Sequence, residues 1–326
     1  MRNCAIFSTG SYLPETILHN EDLSQFPKTS KMLISQKTGV FARRSAAEDE
    51  CTSDLAFKAA HNCLEKIDFP VDQIEGIMVS TSSPDRIQPA TATRVQHMLG
   101  AKNAFAFDIN SVCSGSAFGI SIADALIKSG QYKNILFIAS EVYSKILNKK
   151  DFSTFPFFGD GSGAILFRAA SPSFGGVLHS CLRTDGSGSE TICVPGGGTM
   201  MPYDKMKSPK SAFFKMNGKA VFNFAISKGA EVILQLTEEA GVSVKDIKCF
   251  VCHQANINIL LKIAEKIKVS ADNFYMNLFR YGNTASASVP IALDEAISRG
   301  VVSKGDLAVT AAFGGGLSWG ANLIQI

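Results

Sequence analysis

The two halves of this chain repeat each other, and that repetition constrains the fold more than any single residue does. The stretch Asp72-Gln73-Ile74-Glu75-Gly76-Ile77-Met78-Val79-Ser80 has a counterpart in Lys245-Asp246-Ile247-Lys248-Cys249-Phe250-Val251-Cys252-His253. Each follows an amphipathic helical stretch, 53–67 in the first half and 222–240 in the second. A second pair, Phe158-Gly159-Asp160-Gly161-Ser162-Gly163-Ala164 and Phe313-Gly314-Gly315-Gly316-Leu317-Ser318-Trp319, follows the strand-like runs 135–140 and 307–312. The pairs are separated by about 173 and 155 residues, so the first half carries an extra stretch between its motifs. Strands alternating with helices, twice over, predict two α/β halves packed together. Ser, Pro and Gly cluster at 170–176, which places one half at 1–173 and the other at 174–326. Corresponding loops of two such halves converge at their interface, where residues near 113, 253 and 283 would face one another.

With 326 residues, 46% of them hydrophobic and 19% charged, the chain buries a large core. Its net charge of +3, with acids and bases interspersed, calls for neither nucleic acid nor a membrane surface. The N-terminal residues lack the apolar core of a signal peptide, and no apolar stretch is long enough to span a bilayer; a cytoplasmic protein is expected. Eight cysteines in a chain of this length do not suggest a disulfide framework. Cys249 and Cys252 lie in an apolar run with no ligand company beyond His253, so no metal site is expected.

Cys113 stands apart from the other seven, which read as packing residues. The alternating segment 104–109 before it reads as a short core strand, and 115–127 after it as a helix with small or apolar residues on nearly every face, closed by Gly130. A thiol at the start of a buried helix feels the positive end of the macrodipole, which favours thiolate, and its N–H is an unpaired donor of the first turn. Such a position suits a nucleophile, although most cysteines in intracellular chains are small buried hydrophobes. His253 closes a buried strand, where ligands bind in α/β folds, or is a hydrogen-bonded structural group. Asn283, after Gly282, is a turn or cap residue, or a rigid amide donor. Gly314-Gly315-Gly316 lacks the lysine and spacing of a phosphate loop and suits close backbone approach.

Four motifs together carry a resemblance. Ser111-Val112-Cys113-Ser114-Gly115, His253-Gln254-Ala255-Asn256, Tyr281-Gly282-Asn283-Thr284 and Ala312-Phe313-Gly314-Gly315-Gly316 resemble β-ketoacyl-acyl-carrier-protein synthase III along essentially the whole chain. The resemblance implies an α/β thiolase fold of two duplicated βαβαβαββ-type halves in a five-layered αβαβα arrangement, and a homodimer. It implies a catalytic set of Cys113, His253 and Asn283, with the N–H groups of Cys113 and Gly315 as oxyanion hole. The reaction implied is acyl transfer from a thioester to Cys113, then decarboxylative Claisen condensation with malonyl-acyl carrier protein, with no cofactor. An acyltransferase forming an ester or amide in a specialised pathway is the alternative, and a non-catalytic partner subunit a further one. Asparagine at 283 favours condensation, because a carboxylate there would be poorly placed to stabilise an enolate.

Departures from the family cluster at one end of the implied tunnel. Leu33 stands where a tryptophan is usual, Lys37 and Phe152 where arginines are, Asn258 in place of the arginine after the His-Gln-Ala-Asn motif, and Asn223 in place of a carrier-docking lysine. Lost stacking and lost phosphate-facing charge weaken coenzyme A binding, which suggests a donor other than the usual acetyl-coenzyme A. The resemblance further implies that Phe313, Gln88 and Arg86 shape or gate the acyl pocket, the last two from across a dimer, and that Asn256, Gly218 and Lys37 line the carrier channel. Polar Arg86 and Gln88 fit either a polar acyl group or a solvated loop.

Overall fold

The computed structural model describes residues 3–326. The chain opens on β1 (Asn3–Tyr12), followed by β2 (Thr16–His19), α1 (Lys28–Thr38) and β3 (Ala42–Ser45). The first half continues through α2 (Thr52–Glu65), β4 (Gly76–Ser80), α3 (Thr91–Leu99), β5 (Phe105–Ile109), α4 (Gly115–Lys128), β6 (Asn134–Glu141) and β7 (Gly161–Ala170). The second half begins at β8 (Gly176–Thr184), then the short β9 (Ile192–Cys193) and β10 (Lys215–Met216), α5 (Gly218–Glu239), β11 (Cys249–Cys252) and α6 (Ile257–Ile267). It ends with α7 (Leu278–Tyr281), α8 (Ser288–Ser298), β12 (Leu307–Gly314) and β13 (Ser318–Gln325).

The two main sheets are copies of one topology. The first has the order β1-β7-β6-β4-β5 and the second β8-β13-β12-β11. The missing fifth position of the second sheet is held by one parallel bridge between Phe250 and Phe274, a remnant of the parallel β4–β5 ladder. Strands β4 and β11 begin at 76 and 249, α4 and α8 at 115 and 288, β6 and β12 at 134 and 307. Each pair is offset by the 173 residues already visible in the sequence. The offset breaks after β6, because the first half spends residues 142–160 on a loop where the second turns in 315–317.

Helices α4 and α8 form the middle layer between the sheets, with α2 and α3 outside the first sheet and α5 and α6 outside the second. The apolar residues of α4 are buried with those of α8 and of both sheets: Ala117, Ile120, Ala123 and Ile127 share a core with Phe137, Val289, Leu293 and Ala312. Contact this close needs Gly119, where a Cβ would collide with the Phe137 ring. Burial on every face explains the helix's uniformly apolar sequence.

The segment 104–109 is not the core strand its alternation suggests. Strand β5 lies at the edge of its sheet, partly exposed, with Phe107 36% accessible. Its one polar side chain, Asp108, caps α3 by accepting the N–H groups of Thr91 (2.6 Å) and Ala92 (2.8 Å). The open edge of β5 is an unpaired ladder of the kind folded proteins cover or pair.

Candidate active site

Cys113 is the middle residue of a 3-10 turn, Val112–Ser114, that feeds into α4. Val112 holds a left-handed φ of 46°, a conformation costing a β-branched residue about 1–3 kcal/mol. Ala285, 173 residues on, repeats the same φ of 46° at the head of the 3-10 turn that feeds α8. The duplication therefore equates Cys113 with Ser286, Ser80 with His253, Gly115 with Ser288 and Glu141 with Gly314.

The two equivalent positions have opposite fates. Around Ser286 the space is filled by the buried carboxylate of Glu141, which accepts hydrogen bonds from Ser286 Oγ (2.6 Å), Ser83 Oγ (2.6 Å), Ser82 Oγ (3.1 Å) and the Ser82 and Ser83 backbone. Around Cys113 the equivalent residue is Gly314, and a Cβ there would lie 2.8 Å from the Cys113 Cβ and N. Replacing a carboxylate by a hydrogen leaves room beside the thiol. A cavity of about 190 Å³ opens there, with Cys113, His253, Asn283 and Gly314 in its wall.

Each polar group in this wall is fixed. His253 follows β11, its N–H donating to the Ala311 carbonyl at 2.8 Å, and its ring is buried. Nδ1 lies 2.7 Å from Ser288 Oγ, which also accepts the Gln254 N–H at 3.2 Å. Burial lowers the imidazole pKa from 6.5 to about 3, against a smaller opposing pull from the Ala285 backbone, so the ring is neutral at physiological pH. The Asn283 backbone bridges to the 142–160 loop, donating to the Phe157 carbonyl (2.8 Å) and accepting from the Gly159 N–H (3.0 Å). Its Oδ1 accepts the Ala285 N–H at 2.9 Å, which orients the amide and leaves Nδ2 as its donor face.

The Cys113 thiol departs from the expectation of a favoured thiolate. Burial raises its pKa well above the ordinary value, with the nearby Glu141 carboxylate adding to the shift. The helix terminus acts over one turn, whereas enclosure by apolar side chains removes the solvation a thiolate needs, and enclosure dominates.

Phe313 lines the cavity, its ring edge-on to His253 at a centroid distance of 5.6 Å, and Asn256 and Gly218 line it as well. Lys37 does not; its side chain is exposed, and only its carbonyl takes part, accepting from Asn256 Nδ2 (3.2 Å) and Asn258 Nδ2 (2.9 Å). Asn258 thus ties α6 to the end of α1. Leu33 is 38% exposed, and Phe152 packs edge-on against Phe26 and Phe157. Asn223 on α5 is outside the cavity wall. Gly315 is one residue beyond the wall, facing Val112 and Ile192, while Gly314 is the residue pressed on Cys113. Arg86 and Gln88 are exposed on the loop after β4 and do not reach the cavity within one chain; Arg86 shares a separate depression with Cys51 and Arg94. Sequence reasoning missed Ser288, Glu141 and the apolar wall of Phe157, Ile192, Phe214, Met216 and Phe222. The 173-residue offset, which pairs Gly115 with Ser288 and Glu141 with Gly314, was the signal that could have found the first two.

Residues 107–186 match the 3-oxoacyl-[acyl-carrier-protein (ACP)] synthase III family, and 237–326 match its C-terminal region. The chain belongs to this β-ketoacyl-acyl-carrier-protein synthase III family. It is 39% identical over 325 residues to the Clostridium acetobutylicum β-ketoacyl-[acyl-carrier-protein] synthase III, covering 100% of this chain and 99% of that one. Identity to the Clostridioides difficile protein of the same name is 41% over 321 residues, covering 98% and 97%. The crystal structure of 3-oxoacyl-[acyl-carrier-protein] synthase III from Aquifex aeolicus superposes with a TM-score of 0.91 at 36% identity, covering 99% of this chain and 100% of that one. The thiolase fold expected from the motifs is thereby confirmed, and the protein is a condensing acyltransferase of fatty-acid biosynthesis. Among the described residues, no helix of this synthase III is long and apolar enough to cross a membrane.

Proposed function

We propose that Cys113, His253 and Asn283 carry the condensation. The observation supporting this is their convergence on one cavity with the imidazole neutral. The Cys113 sulfur adds to the carbonyl of an acyl thioester, the oxyanion taking N–H groups from Cys113 and Gly315. The carbon–sulfur bond of the donor breaks, and the proton of the Cys113 thiol leaves with the departing thiol. Malonyl thioester then enters, and its carbon–carboxylate bond breaks as carbon dioxide departs. The electron pair is left as an enolate whose oxygen accepts from His253 Nε2–H and Asn283 Nδ2–H. That carbon attacks the acyl group, and the Cys113 thiolate leaves and takes a proton from solvent. The electron pair comes from the malonyl group itself, so the scheme calls for no metal or redox cofactor.

Ser288 supports the required tautomer. Its oxygen accepts from the Gln254 N–H and lies 2.7 Å from His253 Nδ1; with the hydroxyl donating across that contact, the ring proton sits on Nε2, the nitrogen available to donate. We further infer a cytoplasmic homodimer, supported by the open edge of β5, with Arg86 and Gln88 reaching a pocket only from the partner subunit. Leu33 brings no aromatic ring and Phe152 no positive charge where the family usually has a tryptophan and an arginine, which supports a donor carried by acyl carrier protein in preference to acetyl-coenzyme A.

Intact-mass measurement after incubation with acyl-coenzyme A and acyl-carrier-protein donors, coupled to carbon dioxide release from malonyl-acyl carrier protein, tests the reading. Acylation confined to Cys113 and decarboxylation lost in H253A and N283A are expected. Acyl transfer to an alcohol or amine without carbon dioxide release would overturn it.

A further inference from the structure

Far from the cavity, His179 and Cys181 of β8 meet Glu239 in the last turn of α5. His179 Nε2 lies 2.9 Å from Glu239 Oε2, and Cys181 Sγ lies 3.0 Å from the same oxygen. The three atoms fall within 4.8 Å of one another. Residues 179 and 181 are two apart on a strand, so both side chains point to one face, the one α5 covers. Both supporting elements are hydrogen-bonded: β8 is paired to β13 through the Leu323–His179 and Ala321–Cys181 registers, with a register shift just before His179, and α5 is a 22-residue helix. The three side chains therefore project from hydrogen-bonded backbone.

We propose that His179, Cys181 and Glu239 form a three-ligand site for one transition-metal dication of the zinc type. One imidazole nitrogen, one thiolate and one carboxylate oxygen are the donor types such an ion selects, at bond lengths of about 2.0–2.3 Å. Around a tetrahedral ion at those lengths, neighbouring donors sit about 3.3–3.7 Å apart. The present separations to Oε2 need to open by only about half an ångström, as expected when an ion replaces the proton shared in the thiol–carboxylate contact. On binding, the Cys181 S–H bond gives its proton to solvent, and the thiolate and carboxylate neutralise the two positive charges. Water takes the fourth position, on the side where His179 and Glu239 are 36% and 42% exposed.

The surroundings support the ligands. Gln235 Nε2 donates to the other carboxylate oxygen, Glu239 Oε1, at 2.7 Å, one turn back on the same helix. Arg183 Nη2 is 4.0 Å from Oε1, on the oxygen that faces away from the imidazole and thiol. Cys181 itself is buried against the apolar core beneath α5, which shields a metal–sulfur bond from exchange. The site pins the end of α5 to the edge strand β8, while the opposite end of α5 supplies Gly218 and Ala225 to the cavity wall.

The test is titration of the chelator-treated full-length protein with Co²⁺ alone, in a C113A background so that Cys113 and His253 cannot supply the signal. One equivalent of Co²⁺ is expected to give thiolate-to-cobalt charge-transfer absorption. That band should vanish when C181S is added, and apparent affinity should fall at least tenfold when H179Q or E239Q is added. Zn²⁺ should raise the Tm of C113A and leave that of C113A/C181S unchanged. Absence of the band in C113A, or its persistence in C113A/C181S, overturns the proposal; circular dichroism confirms that each variant is folded.

Discussion

His253 Nδ1 and Ser288 Oγ lie 2.7 Å apart, and the equivalent positions of the first half are occupied by Ser80 and Gly115. The duplicated fold thus holds two residues face to face at the head of each central helix. In the first half they cannot form a hydrogen-bonded pair, since Gly115 has no side chain and a Cβ there would collide with Ser80 Oγ. In the second half the same geometry holds a buried imidazole by its inner nitrogen. One architectural position, used twice, has become a packing contact on one side and an orienting contact on the other.

Removing that hydroxyl should damage one step and spare the other. In S288A, Nδ1 loses its 2.7 Å hydroxyl partner and with it the proposed hold on the tautomer, so a ring protonated on the inner nitrogen no longer donates from Nε2 to an enolate. Decarboxylation of malonyl-acyl carrier protein is expected to fall by up to about 100-fold, the lower end of the scale of losing one preorganised donor, because Ser288 acts through His253. Acylation of Cys113, followed by intact mass, should change less than about threefold, because the oxyanion donors are elsewhere. S288T, which keeps the hydroxyl, should recover most of the decarboxylation.

The buried imidazole also predicts a pH signature. An unfolded histidine binds its proton near pH 6.5, whereas His253 in the folded chain does so only near 3. Between those values the unfolded chain holds more protons, so stability falls as pH drops from 6.5 toward 3, by at most about 1.4 kcal/mol per pH unit from this residue. Urea unfolding of wild type and H253Q across this range should show a shallower acid slope for the variant. The decarboxylation rate of the wild type should show no acid limb near pH 6.5, since the ring stays neutral there.

Much of this was legible in the chain, for reasons particular residues make plain. The 173-residue echo between Asp72–Ser80 and Lys245–His253 survives because both stretches feed strands buried on both faces, which restricts them to apolar residues. Cys113, His253 and Asn283 could be read from local motifs because each sits where a strand or turn enters a helix. The thiol's raised pKa could not, since it depends on how completely the surrounding side chains enclose Cys113. Strand β5 misled because Phe105 and Phe107 have the composition of an interior strand while lying at a sheet edge. The His179–Cys181–Glu239 cluster escaped notice because Glu239 stands 58 residues from Cys181 in sequence.

Gly314 is where the second half makes room for Cys113, the proposed nucleophile. A methyl group at this position would lie 2.8 Å from both Cys113 Cβ and N, and backbone on both sides cannot yield without moving β12 or the turn before α4. Overpacking of this kind costs about 1–3 kcal/mol. G314A is therefore expected to unfold at lower urea concentration and to acylate Cys113 at least about 100-fold more slowly, since a displaced thiol loses its alignment with the carbonyl. Time-resolved intact mass measures the second effect in protein that circular dichroism finds folded.

Leu33 and Phe152 carry the last prediction, because the proposed donor choice rests on them and neither is in the cavity wall. Leu33 is 38% exposed on α1, and Phe152 packs its ring edge against Phe26 at 5.1 Å and Phe157 at 6.2 Å, the latter in the cavity wall. Neither offers a flat π-face backed by a guanidinium, the combination that would grip an adenine and its phosphates. Installing one, as L33W/F152R, adds a stacking surface and a fixed positive charge, each worth about 1 kcal/mol or more at a partly desolvated site. The double variant should lower the KM for an acyl-coenzyme A donor about tenfold or more and leave kcat within about threefold. The KM for the same acyl group on acyl carrier protein should stay within about threefold, since phosphopantetheine brings no adenine to stack. An equal fall in KM for both donors would mean the substitutions reshaped the shared channel, and the assignment of these two residues to donor choice would fail.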